Sequence, residues 1–347
     1  MRADAIAMAY RRQRRRRHWV LAALAGTVLL ALLADLLTGP SGLGAQRVLS
    51  GLFEPAQLTA AERVILWEVR LPTALLALLV GIALAIAGAE MQVILGNPLA
   101  EPFTLGISSS AALGASLVIV LDIALPGLPS FWLVSANAFV FALGSMLLIQ
   151  LLIKIRGAEA QTLVLFGIAI GFTAGALLSL VQFVASEDAL QQLVFWSMGS
   201  LARADWAGVA GLALIVLLIG GASLRSAADL TALRLGDERA RGFGVDVARL
   251  RFWALIRVSL LAASAVALVG TIGFVGLVGP HVARLLVGED QRLALPASLL
   301  TGAAMMVAAS VISKTLSPGE LLPVGVMTAL IGLPWFIALV LRRPAGR

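Results

Sequence analysis

The chain has 347 residues, of which 60% are hydrophobic and only 13% charged, with a mean hydropathy of +0.98. Soluble domains carry roughly one-quarter charged residues, so this composition excludes a soluble enzyme or binding module and leaves an all-α polytopic membrane protein. The net charge of +7 does not indicate a nucleic-acid partner, because the cations gather in the connections between apolar runs, where they act as a topology signal.

A hydrocarbon core about 30 Å thick takes ~20 apolar residues per helix, and runs of that kind lie at about 19–38, 71–95, 104–125, 131–153, 161–185, 206–224, 253–270, 272–287, 294–313 and 322–341. About ten transmembrane helices are therefore expected in a single domain spanning 1–347, with no soluble domain in the short connections. Residues 1–18 form a basic tail, with Arg11, Arg12 and Arg14 to Arg17 ahead of Trp19. Tail and run resemble a secretory signal, but the run is too long and no small-x-small cleavage site follows, so it reads as an uncleaved first span. Short cytoplasmic loops are rich in Lys and Arg. Alternating from a cytoplasmic N-terminus places Lys154, Arg156, Arg225, Arg234, Arg239, Arg241, Arg249, Arg251, Arg292, Arg342 and Arg343 inside, with both termini. Arg47, Arg63, Arg70, Arg203 and Lys314 remain outside.

Three stretches break the apolar pattern. The first is Gly88–Gly106, GAEMQVILGNPLAEPFTLG. Its prolines at 98 and 102 disfavour a continuous helix and give a bent connection, either an ordinary loop or a constriction at the inner mouth. An ionised carboxylate in hydrocarbon is expensive. Glu90 is therefore expected to hydrogen-bond inside the bundle or to line a path for a cationic or hydroxyl-rich solute. The second stretch is the basic connection 225–252, which reads as two short helices around Gly242 and Gly244. The third, Thr271–Gly288, holds Pro280, His281 and Arg284 among glycines at 270, 273, 276 and 279. Irregular backbone survives at membrane depth only against protein or a wet cavity, so these residues are expected to have a use. His281 and Arg284, three apart, share a helix face. Gly167, Gly171 and Gly175 add a small-xxx-small stripe, read as close helix packing or a face toward a second copy.

Several chemistries are excluded. There are no cysteines. Neither Lys154 nor Lys314 sits in a G-x-x-x-x-G-K-[ST] loop, so the chain lacks that route to ATP hydrolysis. His18 and His281 are too far apart to suggest a metal cluster. Intramembrane acids are few (Asp35, Glu90, Asp122), which is sparse for a proton relay. The reading is a transport subunit energised by another protein; a secondary ion-coupled carrier using Glu90 is the alternative.

The strings RLP at 70–72, GAEMQ at 88–92, NPLAEP at 97–102 and LGISSSAALGA at 105–115 resemble the iron-chelate, haem and cobalamin uptake permeases of bacterial ABC importers. So do FWSMGSL at 195–201, LRLGDERARGFGV at 233–245, GTIGFVGLVGPHVARLLVG at 270–288 and PVGVMTALIGLPWF at 323–336. The resemblance implies ten helices with an inverted four-plus-four repeat and a homodimer in the bacterial inner membrane. It implies two cytoplasmic ATPase subunits carrying ATP and Mg, no cofactor in this chain, and a periplasmic or lipid-anchored binding protein. Ferric siderophore is the first choice of cargo, haem second and cobalamin third. Residue by residue, it assigns Leu233, Leu235, Gly236, Asp237, Glu238, Ala240 and Gly244 to ATPase coupling, the apolar positions filling a groove and the acids pairing at its rim. Asn97 and Leu99 match the inner gate, and 157–161 falls at a second gating turn. Ser186–Leu201 would include a short helix at the outer mouth. Arg70 and Lys314 match cations that dock the binding protein, with Arg63 standing in where Thr73 departs from the pattern. An extra leucine before Pro323 is a second departure. Pro280, His281 and Arg284 become structural or conformational residues rather than metal ligands.

Overall fold

A computed structural model describes residues 2–156, 160–316 and 322–341. The described residues are almost entirely helical: α1 Arg2–Leu37, α2 Ala45–Phe53, α3 Ala60–Ile94, α4 Ile107–Val120, α5 Ser130–Arg156, α6 Ala160–Phe183 and α7 Glu187–Ser197. There follow α8 Trp206–Arg225, α9 Ala227–Leu233, α10 Asp237–Gly242, α11 Val247–Val269, α12 Val275–Val287, α13 Gln291–Thr315 and α14 Val324–Leu341. Seven of these are long and apolar enough to cross a membrane, and three shorter apolar helices, α4, α12 and α14, accompany them. Each apolar run of the sequence has become one helix. The seam at 270–272 separates two helices and does not kink a single one.

Polar residues in the connections set where helices begin. Side-chain carboxylates of Asp205, Asp246 and Asp290 accept the N–H groups of Gly208, Arg249 and Arg292 at 2.8, 3.0 and 3.0 Å, capping α8, α11 and α13. Ser186 caps α7 in the same way.

Helix lengths follow a repeated order. In both α3–α6 and α11–α14 a long first helix is followed by a short second one, of 14 residues in α4 and 13 in α12, and then by a longer third. α4 packs on α5 as α12 packs on α13. Across the halves, α3 packs on α13 and α11 packs on α5, the reciprocal contact expected of two repeats related by a pseudo-twofold axis. Glycine permits the closest approaches. A Cβ added to Gly88 would lie 1.8 Å from the Gly276 carbonyl oxygen, and one added to Gly81 2.4 Å from that of Gly302. In the Gly167/Gly171/Gly175 stripe, the first two glycines pack against Leu105 and Gly106, whereas Gly175 meets open space. One face of α6 is exposed and apolar, including Phe172, Leu180 and Phe183, which leaves a surface for lipid or a second copy.

The chain thus has two ends. The basic end carries α9, α10, the 95–100 turn and Arg17. The far end carries α2, α7 and the 270–272 reversal.

Candidate functional site

α4 and α12 are each preceded by an interruption of the α-helical backbone, and these two segments meet at Glu101 and Phe274. Pro280 lies inside α12 and has no N–H, which frees the Gly276 carbonyl four residues before it. Gln92 of α3 replaces the missing donor, its amide nitrogen reaching the Gly276 oxygen at 3.2 Å and the Leu277 oxygen at 3.5 Å. The Gln92 amide oxygen accepts from Arg284 Nη1 at 2.5 Å. One glutamine therefore repairs the proline break and holds the arginine a turn below. Arg284 thus meets a partner separated from it by 192 positions.

At the head of α12, Phe274 takes a left-handed conformation, φ 68°, unusual for a side chain of that size. Such backbone costs on the order of 1–3 kcal/mol and persists only where its surroundings impose it. Gly332 of α14 leaves the space that the Phe274 side chain fills, since a Cβ added there would lie 2.3 Å from the Phe274 Cβ, and the Glu101 carboxylate accepts the Phe274 N–H. Burial pushes the Glu101 carboxyl up to about 7, partly offset by that hydrogen bond. Glu101 belongs to the NPLAEP segment, so one irregular segment caps the other.

The 95–106 segment turns at Gly96, φ 58°, and Asn97 stabilises it by accepting the Leu99 N–H at 3.0 Å. Asn97 is exposed at the basic end and Leu99 half-buried beneath it, a placement compatible with an inner gate. The second expected gating turn, at 157–161, lies mostly outside the described residues.

The basic connection is organised around Arg251, which in the sequence looks like an ordinary loop charge. Its guanidinium pairs bidentately with Asp237, at 2.7 and 2.8 Å, and its Nε donates to the Ile94 carbonyl at 3.2 Å. Ile94 ends α3, two residues before the Gly96 turn. In parallel, Arg234 pairs with Glu289 at 2.6 Å, and Glu289 lies 3.6 Å from Arg284. Both routes run from α9–α10 to the last turn of α3, around a cavity of about 500 Å³ lined by Pro98, Gly236, Arg251, His281 and Arg284. His281 and Arg284 thus meet on one face, as their spacing implies.

Two details of the connection differ from expectation. The break between its helices falls at Gly236, φ 102°, a glycine-only conformation, while Gly244, φ 83°, follows the second helix. Leu233 and Ala240 do not point outward to fill a partner's groove; they are buried in the bundle core, because α9 and α10 need an apolar face to pack on α3, α11 and α13. Asp237 is occupied by Arg251. Of the expected coupling residues, Leu235, Gly236, Glu238 and Gly244 are exposed, beside Arg239, Arg241 and Phe243, the last carrying no sequence signal although it is 69% exposed.

Glu90 is fully buried and ion-paired, Arg257 Nε donating to its two oxygens at 2.9 and 3.1 Å, with the Ser223 hydroxyl beside it. The carboxylate joins α3 to α11 and α8, in agreement with a hydrogen bond inside the bundle.

At the far end the docking assignment needs correction for two residues. Arg70 is buried, donating to the Leu36 carbonyl at 2.8 Å and the Ser41 hydroxyl at 2.9 Å. Lys314 Nζ lies 2.7 Å from the fully buried Asp35 carboxylate. Both cations are consumed in tying the end of α1 to α3 and α13, because an acid buried there requires a partner. Arg63 alone of the three is exposed, with one bond to the Pro55 carbonyl at 3.1 Å.

Comparison with known proteins matches this architecture. The model of the FecCD transport family covers residues 20–342. The chain belongs to that family. It is 37% identical over 322 residues to the hemin transport system permease protein of Yersinia pestis, covering 92% of this chain and 96% of the relative. It is 38% identical to the Fe(3+) dicitrate transport system permease protein FecD of Escherichia coli, covering 80% and 85% respectively. A solved metal-chelate type ABC transporter in an inward-facing conformation superposes with a TM-score of 0.81 at 30% identity, over 94% of this chain and 99% of the other. The chain is a multi-pass membrane permease of the ABC-transporter type.

Proposed function

We propose that this permease forms half of a homodimeric importer in the bacterial inner membrane, with both termini cytoplasmic, and that it moves an iron chelate inward by alternating access. Two ATPase subunits, which carry the ATP and Mg, dock on the exposed strip of Leu235, Glu238 and Phe243. A periplasmic or lipid-anchored binding protein delivers the solute at the far end, with Arg63 available for steering. Ferric siderophore is the leading cargo, ahead of haem and cobalamin, which are the solutes of named relatives.

The observation that carries this reading is the Arg251 joint. A displacement imposed on α10 reaches the Asp237 carboxylate, then the Arg251 guanidinium, and then the Ile94 carbonyl at the edge of the gate turn. Gly236, held in a conformation with open space around its Cα, gives α10 a pivot. As the turn moves, Gln92 carries α12 with it. Solute specificity then rests largely with the binding protein, since the permease contributes a passage and a gate. The test is ATP-dependent uptake by proteoliposomes holding permease, ATPase and binding protein, run against ferric siderophores, haem and cobalamin. Accumulation by the permease alone, without a nucleotide-hydrolysing subunit, would overturn the proposal in favour of an ion-coupled carrier.

A further inference from the structure

At the far end, α7 stands over a cavity of about 630 Å³ that neither the gate nor the coupling route uses. Volumes of ~300–1,000 Å³ are those of small-ligand sites. Its wall has two chemistries. Phe131, Val134, Phe195 and Trp196 make an apolar and aromatic side, stiffened by edge-on contact between Phe131 and Trp132 at 5.7 Å. Ser130, Gln191, Gln192 and Ser200 supply hydrogen-bonding groups. Between the two sides sits Arg203, its guanidinium 5.4 Å from the centre of the Phe131 ring.

The electrostatics of this cavity are unbalanced. Arg203 has no carboxylate within ion-pair distance among the described residues, in contrast to Arg47, Arg234, Arg251 and Arg257. Arg203 is itself exposed at the mouth of the cavity. The one acid lining the cavity, Asp188, lies in the first turn of α7, where the helix dipole already favours negative charge. An exposed cation held over an aromatic ring at the open mouth of a cavity, with no carboxylate paired to it, can meet an anion entering from solvent. Inorganic phosphate would satisfy the charge but leave the aromatic wall wet, so the fitting ligand carries its anionic group on an apolar or planar body.

We propose that this cavity binds such a solute, an anionic chelate or macrocycle with an apolar face, and that Arg203 is its charge-recognition residue. Assigning it as a way-station for the imported solute rests on the import reading above; the binding itself does not. The site adjoins the helix break, because the Ser200 N–H donates to the Val269 carbonyl at 2.7 Å and Gly199 touches Thr271.

The test is direct binding to the full chain in lipid nanodiscs, without ATPase or binding protein. Three probes are used: hemin, which combines carboxylates with an aromatic plane; ferric dicitrate, anionic but without an apolar face; and ferrioxamine B, a cationic ferric chelate. Hemin is expected to bind most tightly and ferrioxamine B least. Arg203→Gln should weaken hemin about ten- to a hundredfold with unchanged thermal stability, as expected for the loss of a charged hydrogen-bond partner. Phe131→Ala should weaken hemin and leave ferric dicitrate unaffected, and Asp188→Asn should tighten both anions. Equal hemin affinity in wild type and Arg203→Gln, or ferrioxamine B binding as well as hemin, would overturn the proposal. Such a result leaves ATP-driven import untouched, and failed import leaves hemin binding untouched.

Discussion

The buried pair of Glu90 and Arg257 separates a mechanical role from a chemical one. Replacing Glu90 by Gln leaves a guanidinium buried opposite a neutral group. At an effective dielectric near 20, unit charges about 4 Å apart attract by ~4 kcal/mol. Removing one partner of a buried pair typically costs ~3–5 kcal/mol, since the survivor remains desolvated. Both estimates exceed the ~0.6 kcal/mol average for a neutral hydrogen bond inside a membrane bundle. Glu90→Gln and Arg257→Met should therefore each destabilise the fold by ~3–5 kcal/mol. The pair Glu90→Leu with Arg257→Met should recover most of that loss, because replacing both charges with apolar groups is often neutral. The assay is a double-mutant cycle on reversible unfolding in bicelles, run beside ATP-driven uptake by the reconstituted complex. A staple predicts that the apolar pair restores both stability and uptake. If stability returns and uptake does not, Glu90 carries protons or solute, and the contact is not a sealed structural one.

Other predictions follow from single contacts. Arg251→Gln should leave ATPase binding and hydrolysis intact, since Leu235 and Phe243 are untouched, yet reduce solute moved per ATP at least about tenfold, on the scale of a lost charged hydrogen bond; a normal ratio would show that motion bypasses the joint. Gly88→Ala should prevent stable accumulation, its new methyl lying 1.8 Å from the Gly276 oxygen, whereas Gly175→Ala should be tolerated in open space; expression and thermal melting of the two variants compare these outcomes. Glu101 has a raised folded pKa of about 7 against about 4.3 for a free glutamate, so its contribution is complete below the lower value and lost as pH rises through the upper one. Wild-type melting temperature should fall across that window, and Glu101→Gln, whose amide oxygen still accepts the Phe274 N–H, should flatten the slope. Lys314→Met should destabilise the protein by leaving Asp35 unpaired, while Arg63→Gln should spare stability and weaken binding-protein docking most at low salt, measured by calorimetry.

The spans are legible in the sequence because lipid imposes a length on apolar runs, and each run forms one helix. The importance of Thr271–Gly288 is legible too, since a proline, a histidine and an arginine at that depth demand partners. The partners themselves are not. Gln92 is an isolated amide in the sequence, and nothing local shows that it will meet Gly276 or Arg284. Arg251 looks like one more loop cation, and its meaning depends on Asp237 and Ile94 arriving from two directions. Lys314 and Arg70 mislead for the same reason: a cation at a span end reads as interfacial until Asp35 is seen to lie beneath it. Leu233 and Ala240 show a related limit, because a short amphipathic helix cannot reveal from sequence which apolar residues face its own bundle and which face a partner.

Long helices move as rods, so relative motion within this chain must be absorbed where helical bonding is interrupted. Among the described residues, 95–106 and 270–274 are such places, each ahead of a short helix. Polar groups in and just after the second break are satisfied by the opposite repeat: Glu101 serves the Phe274 N–H, and Gln92 serves the Gly276 carbonyl that Pro280 frees. A change of conformation that separated the segments would leave buried polar groups on both, at ~1–3 kcal/mol each. The less costly motion keeps these bonds and carries the two breaks together. The inner turn at Gly96 and the reversal beside Gly199 are then linked through α12, whose head follows Glu101 and whose body follows Gln92. A displacement delivered by Arg251 to the end of α3 would be felt at the far end of the bundle without any of the long helices bending.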